Sequence, residues 1–329
     1  MRSTRSLSWI ERLLGFEPVP PPPHVFSLGP TELHYANIQR GPQGLVLEDE
    51  RLVELPADTF QPGVLGGPLK DARAFFEAIG GLVARLPKKP EQASLVLPDT
   101  WLRLTFTEVA ELPRKSNLRE EILRFKLKRL VPFRVEDLRV KSVEVTPFPE
   151  QAEPLRVLLG FAVEPLVAQI EAAFGAAGVQ LGNITNTTLA TIAGVAPLLG
   201  DGELAALLVV HADAYTLCYF RDGEPLVYRY KAFSDGVVDQ DSVARDLRMT
   251  QSFMRRHFHA EGAGAAVARA FFVTPPGQEE QWAEWIGDDL GMPAEQLAYG
   301  HFSLLRARPA TSWLSMAPLL GAANLEVQR

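Results

Sequence analysis

Cys218 is the only thiol in the chain, and it lies in the apolar strand pattern of residues 215–220. A cysteine in such a setting behaves as a small hydrophobe and reads as buried and inert, and a single thiol cannot form an internal disulfide. His257 and His259 are two residues apart. A helix turns such a pair to different faces, which opposes joint metal ligation. The acidic pairs Glu120 and Glu121, Glu279 and Glu280, and Asp288 and Asp289 fall at helix starts or turns and read as solvated faces. The chain contains no G-x-S-x-G, Walker loop, H-E-x-x-H or C-x-x-C, so the common hydrolytic, metal and redox signatures are absent. The chemistry legible in single residues is therefore poor.

The most informative element is the stretch ILRFKLKRLVPFRVEDLRVKSVEV, residues 122–145. It reads as a basic amphipathic helix, stopped at Val131, Pro132 and Phe133 and followed by a strand. Proline lacks the N–H and biases the residue before it away from the α region. Asn117 opens this helix, with Glu120 three residues later completing a capping box. Leu118, Ile122 and Phe125 form one apolar stripe, and Leu123, Leu127 and Leu130 form a second. Arg124, Lys126, Lys128 and Arg129 lie around and between them. Such a helix either buries both stripes between two layers or leaves one to take an apolar peptide.

Around it the chain alternates strands and helices. Strands are expected at 25–28, 33–38, 44–47 and 51–55, a meander, then a helix at 68–86 stopped by Pro87. Strands follow at 94–97, 101–109, 138–145 and 155–163, with helices at 165–177 and 186–195. After the hinge Gly200, Asp201 and Gly202 the logic repeats: strands at 204–210, 216–220 and 226–230, a helix at 241–258, a strand at 270–274 and a helix at 279–290 closed by Gly291. Trp282, Trp285 and Ile286 stand at helical spacing and read as core. Two halves that each begin with a meander and move on to helices imply a duplicated α/β unit.

With 329 residues, 47% hydrophobic and 22% charged, the chain fits about two soluble domains. A formal net charge of −7 opposes wholesale binding to nucleic acid or anionic lipid. No signal peptide is read, and the longest apolar run, residues 204–210, is too short to span a bilayer. Residues 1–23 read as an appendage: Trp9, Ile10, Leu13, Leu14 and Phe16 on one side of a short helix, Arg2, Arg5 and Arg12 nearby, then a polyproline spacer at 20–23. That segment either folds back on the body or touches a membrane surface or partner.

The order of helix, Pro-Phe stop, acidic pair and alternating strand at 122–145 resembles the PilM-type actin-like proteins of type IV pilus assembly. The resemblance extends over most of residues 25–329, through LRVLLGFAVEPLVAQIEAAFGAAGVQLG at 155–182, the helix at 241–258 and the terminus APLLGAANLEV at 317–327. It implies an actin-like, ribonuclease H-like duplicated α/β fold of two domains with a small inserted α+β subdomain. The expected division is residues 1–23 as segment and linker, 24–200 as the first domain with the insertion over about 93–182, and 201–329 as the second, its last residues returning to the first.

Actin-like ATPases hold nucleotide between two strand-turn-strand loops, each with an Asp and a Gly, whose backbone N–H groups approach the phosphates. Set against that pattern, the first loop has Ser27 in place of the Asp, keeps Gly29, loses an N–H at Pro30 and has His34 for the usual Lys. The second loop, residues 209–216, has no glycine; His211 or Val209 falls near the Asp position, and Asp213 and Thr216 survive beside Ala214 and Tyr215. Where a Gly-Gly turn should contact adenosine, the chain has Pro275 and Pro276. Loss in three loops implies no ATP hydrolysis and no cofactor, with ATP and Mg disfavoured.

The resemblance thus implies a cytoplasmic scaffold, peripheral at the inner membrane, that captures the N-terminal tail of a PilN-like inner-membrane protein and serves pilus assembly and twitching motility. The pilus motor ATPase is a further implied partner. Leu118, Ile122, Phe125, Arg129, Pro132 and Phe133 are the expected groove. A divergent actin-like ATPase is one alternative. The cytoplasmic domain of a type II secretion platform protein is another; those chains continue into a membrane span, which this one is read to lack.

Overall fold

The structure is a computed structural model that describes residues 21–41, 44–61, 65, 68–113, 115–131, 134–145, 154–233, 239–258, 266–302, 304–306 and 313–325. The expected amphipathic helix at the N-terminus and Pro20 of its spacer, with Pro132, Phe133 and His259, lie outside the described residues.

Strands β1 (His24–Leu28), β2 (Glu32–Gly41) and β3 (Gly44–Glu54) form the antiparallel meander. The two strands expected at 44–47 and 51–55 are one continuous strand, because β3 follows β2 along its whole length across a single register shift at Asn37 and Ile38. Helix α1 (Ala72–Ala84), whose first turn is capped by Asp71 accepting from the Ala74 N–H at 2.9 Å, leads into β4 (Gln92–Leu97), parallel to β1.

The chain then leaves this sheet. β5 (Arg103–Val109), α2 (Ser116–Leu127), β6 (Leu138–Glu144) and β7 (Leu155–Val163) form a subdomain of their own, a three-stranded antiparallel sheet in the order β5-β7-β6 with α2 packed on it. Helix α3 (Glu164–Ala176) and β8 (Gln180–Asn186) return to the first sheet, where β8 lies parallel to β4. Residues 93–97 and 180–182, expected within the insertion, therefore belong to strands of the main sheet, and the inserted sheet spans 103–163.

Helix α4 (Thr187–Val195), capped by Asn186, crosses to the second half. There β9 (Leu204–Val210), β10 (Ala214–Arg221) and β11 (Glu224–Ala232) form a second meander, followed by α5 (Gln240–His257), β12 (Val267–Val273), α6 (Glu279–Leu290) and β13 (Ala294–Gln296). Finally β14 (Leu304–Arg306) pairs with β3, and α7 (Trp313–Ala322) packs against the first half. The orders β3-β2-β1-β4-β8 and β11-β10-β9-β12-β13 are the same path drawn twice. The expected duplication is thus a duplication of topology.

Between the halves, α4 and α7 cross at contact distance. A Cβ on Gly321 would lie 1.8 Å from the Ala190 carbonyl oxygen, and one on Gly194 would lie 3.1 Å from Gly321 Cα. Only glycine permits that approach. Cys218 is buried in the core formed around this crossing, and burial pushes its thiol well above its ordinary range. Arg40 of β2 donates to the Ala323 carbonyl at 2.9 Å, which satisfies one of the open carbonyls at the end of α7.

Candidate docking helix and the domain junction

Helix α2 begins at Ser116, so Asn117 lies inside it, and its N-cap position, Lys115, makes no side-chain capping bond. The expected capping box does not form. Glu120 instead accepts from Arg124 one turn on, at 2.7 and 3.0 Å. Arg124 also donates to the Val135 carbonyl, which ties the helix to the 3₁₀ turn before β6. The subdomain is fixed to the first domain by Arg139 of β6, whose guanidinium takes Glu164 in a fork at 2.6 and 2.8 Å and Glu171 at 2.6 Å, both on α3. Those bonds hold the Glu164 carboxyl below the usual carboxylate range.

The two stripes of α2 have different fates. Leu123 and Leu127 are buried among Val135, Leu138, Val157, Leu159 and Phe161. Leu118 and Phe125 are 44% and 58% exposed. Ile122 is partly buried at the edge of the same core. Arg129, one turn beyond Phe125, is exposed and places its guanidinium 5.0 Å from the Phe125 ring centroid. Leu130, grouped with Leu123 and Leu127 by its spacing, is 51% exposed and turns sideways.

That sideways flank borders a cleft of about 450 Å³ between the subdomain and the second domain. Lys126 and Leu130 line one side, Phe106, Glu108 and Arg156 the floor, and Leu226, Arg229 and Phe253 the other side. Leu118, Ile122, Phe125 and Arg129 do not line it. The expected groove residues therefore divide: Leu118 and Phe125 on the outer face of α2, Ile122 at the edge of its core, Arg129 just past its end, and two outside the described residues.

Of the loops read as degenerate nucleotide sites, the second reaches the first half through His211, whose Nε2 lies 3.4 Å from Asp99. Ser27 and His34 are register partners in the first hairpin, where Gly29 donates to the Glu32 carbonyl at 2.8 Å in a tight turn. His34 is buried, with Nε2 3.5 Å from Glu32. In the second loop His211 donates its backbone N–H to the Ala214 carbonyl at 2.8 Å, the Asp213 carbonyl accepts from Phe233 at 2.8 Å, and Thr216 is fully buried in β10. Pro275 and Pro276 follow β12, and the next free N–H, that of Gly277, is taken at 2.7 Å by the Glu279 carboxylate. Glu279, the first residue of α6, thus bonds the turn before the helix and is not only a solvated face. Asp289, likewise expected in solvent, is largely buried and paired with Arg248 at 2.7 Å.

The residue that dominates this junction was not singled out from sequence. Asp99, fully buried just after β4, accepts from the Thr188 hydroxyl at 2.7 Å and its N–H at 3.2 Å, and from the Tyr228 hydroxyl at 3.2 Å. His211 Nε2 lies 3.4 Å away. Asn186 donates to the Tyr228 oxygen at 3.2 Å. Burial, with Asp99 alongside, pushes the Tyr228 phenol well above its ordinary range. One carboxyl of the first half is thereby bonded to the connecting helix and to Tyr228 in the middle of β11, with His211 beside it just past the end of β9. Trp282 is fully buried in the core of the second half, as its spacing implied. No trio of His, Cys, Asp or Glu placed to hold a metal occurs among the described residues, and no helix among them is long and apolar enough to cross a membrane.

A chain of the solved PilM–PilN type IV pilus biogenesis complex matches with a TM-score of 0.67 at 17% identity, over 94% of this chain and 97% of that one. The fold is that of the PilM-type actin-like proteins. The cytoplasmic domain of EpsL, an inner-membrane component of the type II secretion system of Vibrio cholerae, matches at 13% identity and TM-score 0.46, over 91% and 93% of the two chains. A Bacteroides thetaiotaomicron protein with an actin-like ATPase fold matches at 9% identity and TM-score 0.49, over 91% and 96%. No family model and no curated protein matches the chain. Within the PilM-type fold, the inserted sheet and α2 stand beside the second half, with Arg103 of β5 stacked 4.0 Å from the Tyr230 ring centroid and Arg156 of β7 donating to the Leu226 carbonyl.

Proposed function

We propose that this chain is a scaffold of type IV pilus assembly that works by protein contact at the cytoplasmic face of the inner membrane. Its partner is the N-terminal tail of a PilN-like membrane protein. The observation that carries this reading is the outer face of α2, where Phe125 and Leu118 stand exposed on a basic helix whose inner residues, Leu123 and Leu127, are buried. An apolar tail laid along i, i+4 and i+7 would cover Leu118, Ile122 and Phe125, with Arg129 at its end. The fold likeness to the PilM–PilN complex supports the choice of partner. Nucleotide turnover has no part in the reading. The three loops that would receive a nucleotide instead bond to their own neighbours, and the Gly277 N–H is occupied by Glu279.

The test is titration calorimetry of the folded protein with a synthetic peptide of the partner's N-terminal segment. Phe125→Glu and Ile122→Glu should each weaken binding at least about tenfold, as loss of an apolar anchor does. Wild-type affinity in both folded variants would remove the outer face of α2 from the reading.

A further inference from the structure

We infer that the cleft between the inserted subdomain and the second domain is a separate docking groove for a short partner peptide in which carboxylates alternate with apolar side chains. This inference does not rest on the tail-capture reading, because the cleft shares no lining residue with Leu118, Ile122 or Phe125. Its volume of about 450 Å³ suits a few side chains of an extended segment, and it is open to solvent along the flank of α2.

Charge selects the occupant. The lining carries three cations, Lys126, Arg156 and Arg229, against one carboxylate, Glu108, in a chain whose overall formal charge is −7. Lys126 and Arg229 reach the cleft from opposite sides, and Arg229 also acts electrostatically on Asp246 of α5. Arg156 lies at the floor between aromatic rings, its guanidinium carbon 3.9 Å from the Phe106 centroid and 5.6 Å from that of Phe258. Burial pulls the Arg156 pKa down to about 10, against the opposing pull of Glu224 and Glu108. A buried cation in that condition gains from an arriving anion. Phe106, Leu130, Leu226, Val227 and Phe253 supply the apolar surface between the charges. A purely apolar segment would leave the cations desolvated, and a small inorganic anion would leave the apolar walls wet.

The experiment is fluorescence anisotropy of the full chain with a labelled octapeptide that alternates Glu with Leu or Phe. Saturable binding that weakens steeply with added salt is expected. The pair Lys126→Glu and Arg229→Glu should weaken it at least about tenfold. If the charge reversals disturb the fold, as judged by circular dichroism, the pair Lys126→Gln and Arg229→Gln is measured instead and should weaken binding severalfold. Phe125→Glu, off the cleft, should leave binding unchanged while it weakens the PilN-like tail peptide, which separates this inference from the previous reading. The inference is overturned by any of four results: unchanged affinity in the charge variants, equal binding of the peptide with Gln for Glu, loss of binding in Phe125→Glu, or displacement by inorganic phosphate at matched ionic strength.

Discussion

Asp99 is held at the junction by donors from three directions, and each is worth testing alone. Tyr228 carries two of the bonds, donating to Asp99 and accepting from Asn186. Removing its hydroxyl leaves a buried carboxyl oxygen and a buried amide short of a partner, a loss of about 1–3 kcal/mol. Urea unfolding of Tyr228→Phe should show that loss with an unchanged slope; a change below about 0.5 kcal/mol would mean that the bonds contribute little. His24 links stability to pH. Its Nδ1 lies 2.7 Å from the Tyr35 hydroxyl, and burial, aided by Lys88, lowers its pKa below the ordinary 6.5. The folded state therefore binds fewer protons there than the unfolded state. Its contribution to stability is full above about pH 6.5 and is lost as pH falls through that value towards the lowered folded pKa. Unfolding free energy measured from pH 8 to pH 5 should decline less steeply in His24→Phe than in the wild type; parallel curves would exclude His24 from the acid limb.

Helix α2 is legible as an element from the sequence, since periodicity places it and its two stripes, although it ends at Leu127 and not at the proline. Which stripe faced the core was not legible, because that depends on where β5, β7 and β6 lie. Leu130 shows the cost: at helical spacing it belongs with Leu127, yet the helix ends before it and the residue turns to the cleft. The division of stripes predicts divided stabilities. Leu127→Ala should cost about 2–5 kcal/mol, as a buried leucine does, whereas Phe125→Ala should stay within about 0.5 kcal/mol. Denaturant melts of the two variants check this, and comparable losses would place Phe125 in a core. The α4–α7 crossing is the other decisive contact between elements. Gly321→Ala would put a methyl 1.8 Å from the Ala190 carbonyl oxygen, where backbone must move. The helices would separate and the core around Met316 and Ile192 would open, so this variant should lose at least about 3 kcal/mol or fail to accumulate as folded protein. A neutral melt would show that the crossing can widen without strain.

At the scale of the whole molecule, the sequence carried the duplication because each half repeats meander, helix, strand, helix in order, and order survives when identity does not. It did not carry the Asp99 junction. Asp99, Thr188, His211 and Tyr228 are scattered over both halves and form no motif; only the folded arrangement brings them within bonding distance. It carried the departures from the nucleotide-loop pattern at Ser27, Pro30, Pro275 and Pro276, and the structure adds the bonds that join the halves. Asp99 bonds across the junction, the Glu279 carboxylate occupies the Gly277 N–H, and α4 and α7 are locked by two glycines. Two halves bonded directly to one another need no ligand to hold their relative position. A nucleotide binding the native state at a hundredfold its dissociation constant would add about 2.7 kcal/mol of stability, a plain upward shift of the thermal midpoint. For this chain, millimolar Mg-ATP should leave the midpoint where it stands in Mg alone. Tyr228→Phe, which loosens the junction, should not create a response either, because Pro275, Pro276 and Glu279 still deny the backbone donors. A midpoint that rises with Mg-ATP in the wild type would restore nucleotide to the account of this fold, and one that rises only in Tyr228→Phe would show that the Asp99 junction alone keeps nucleotide out.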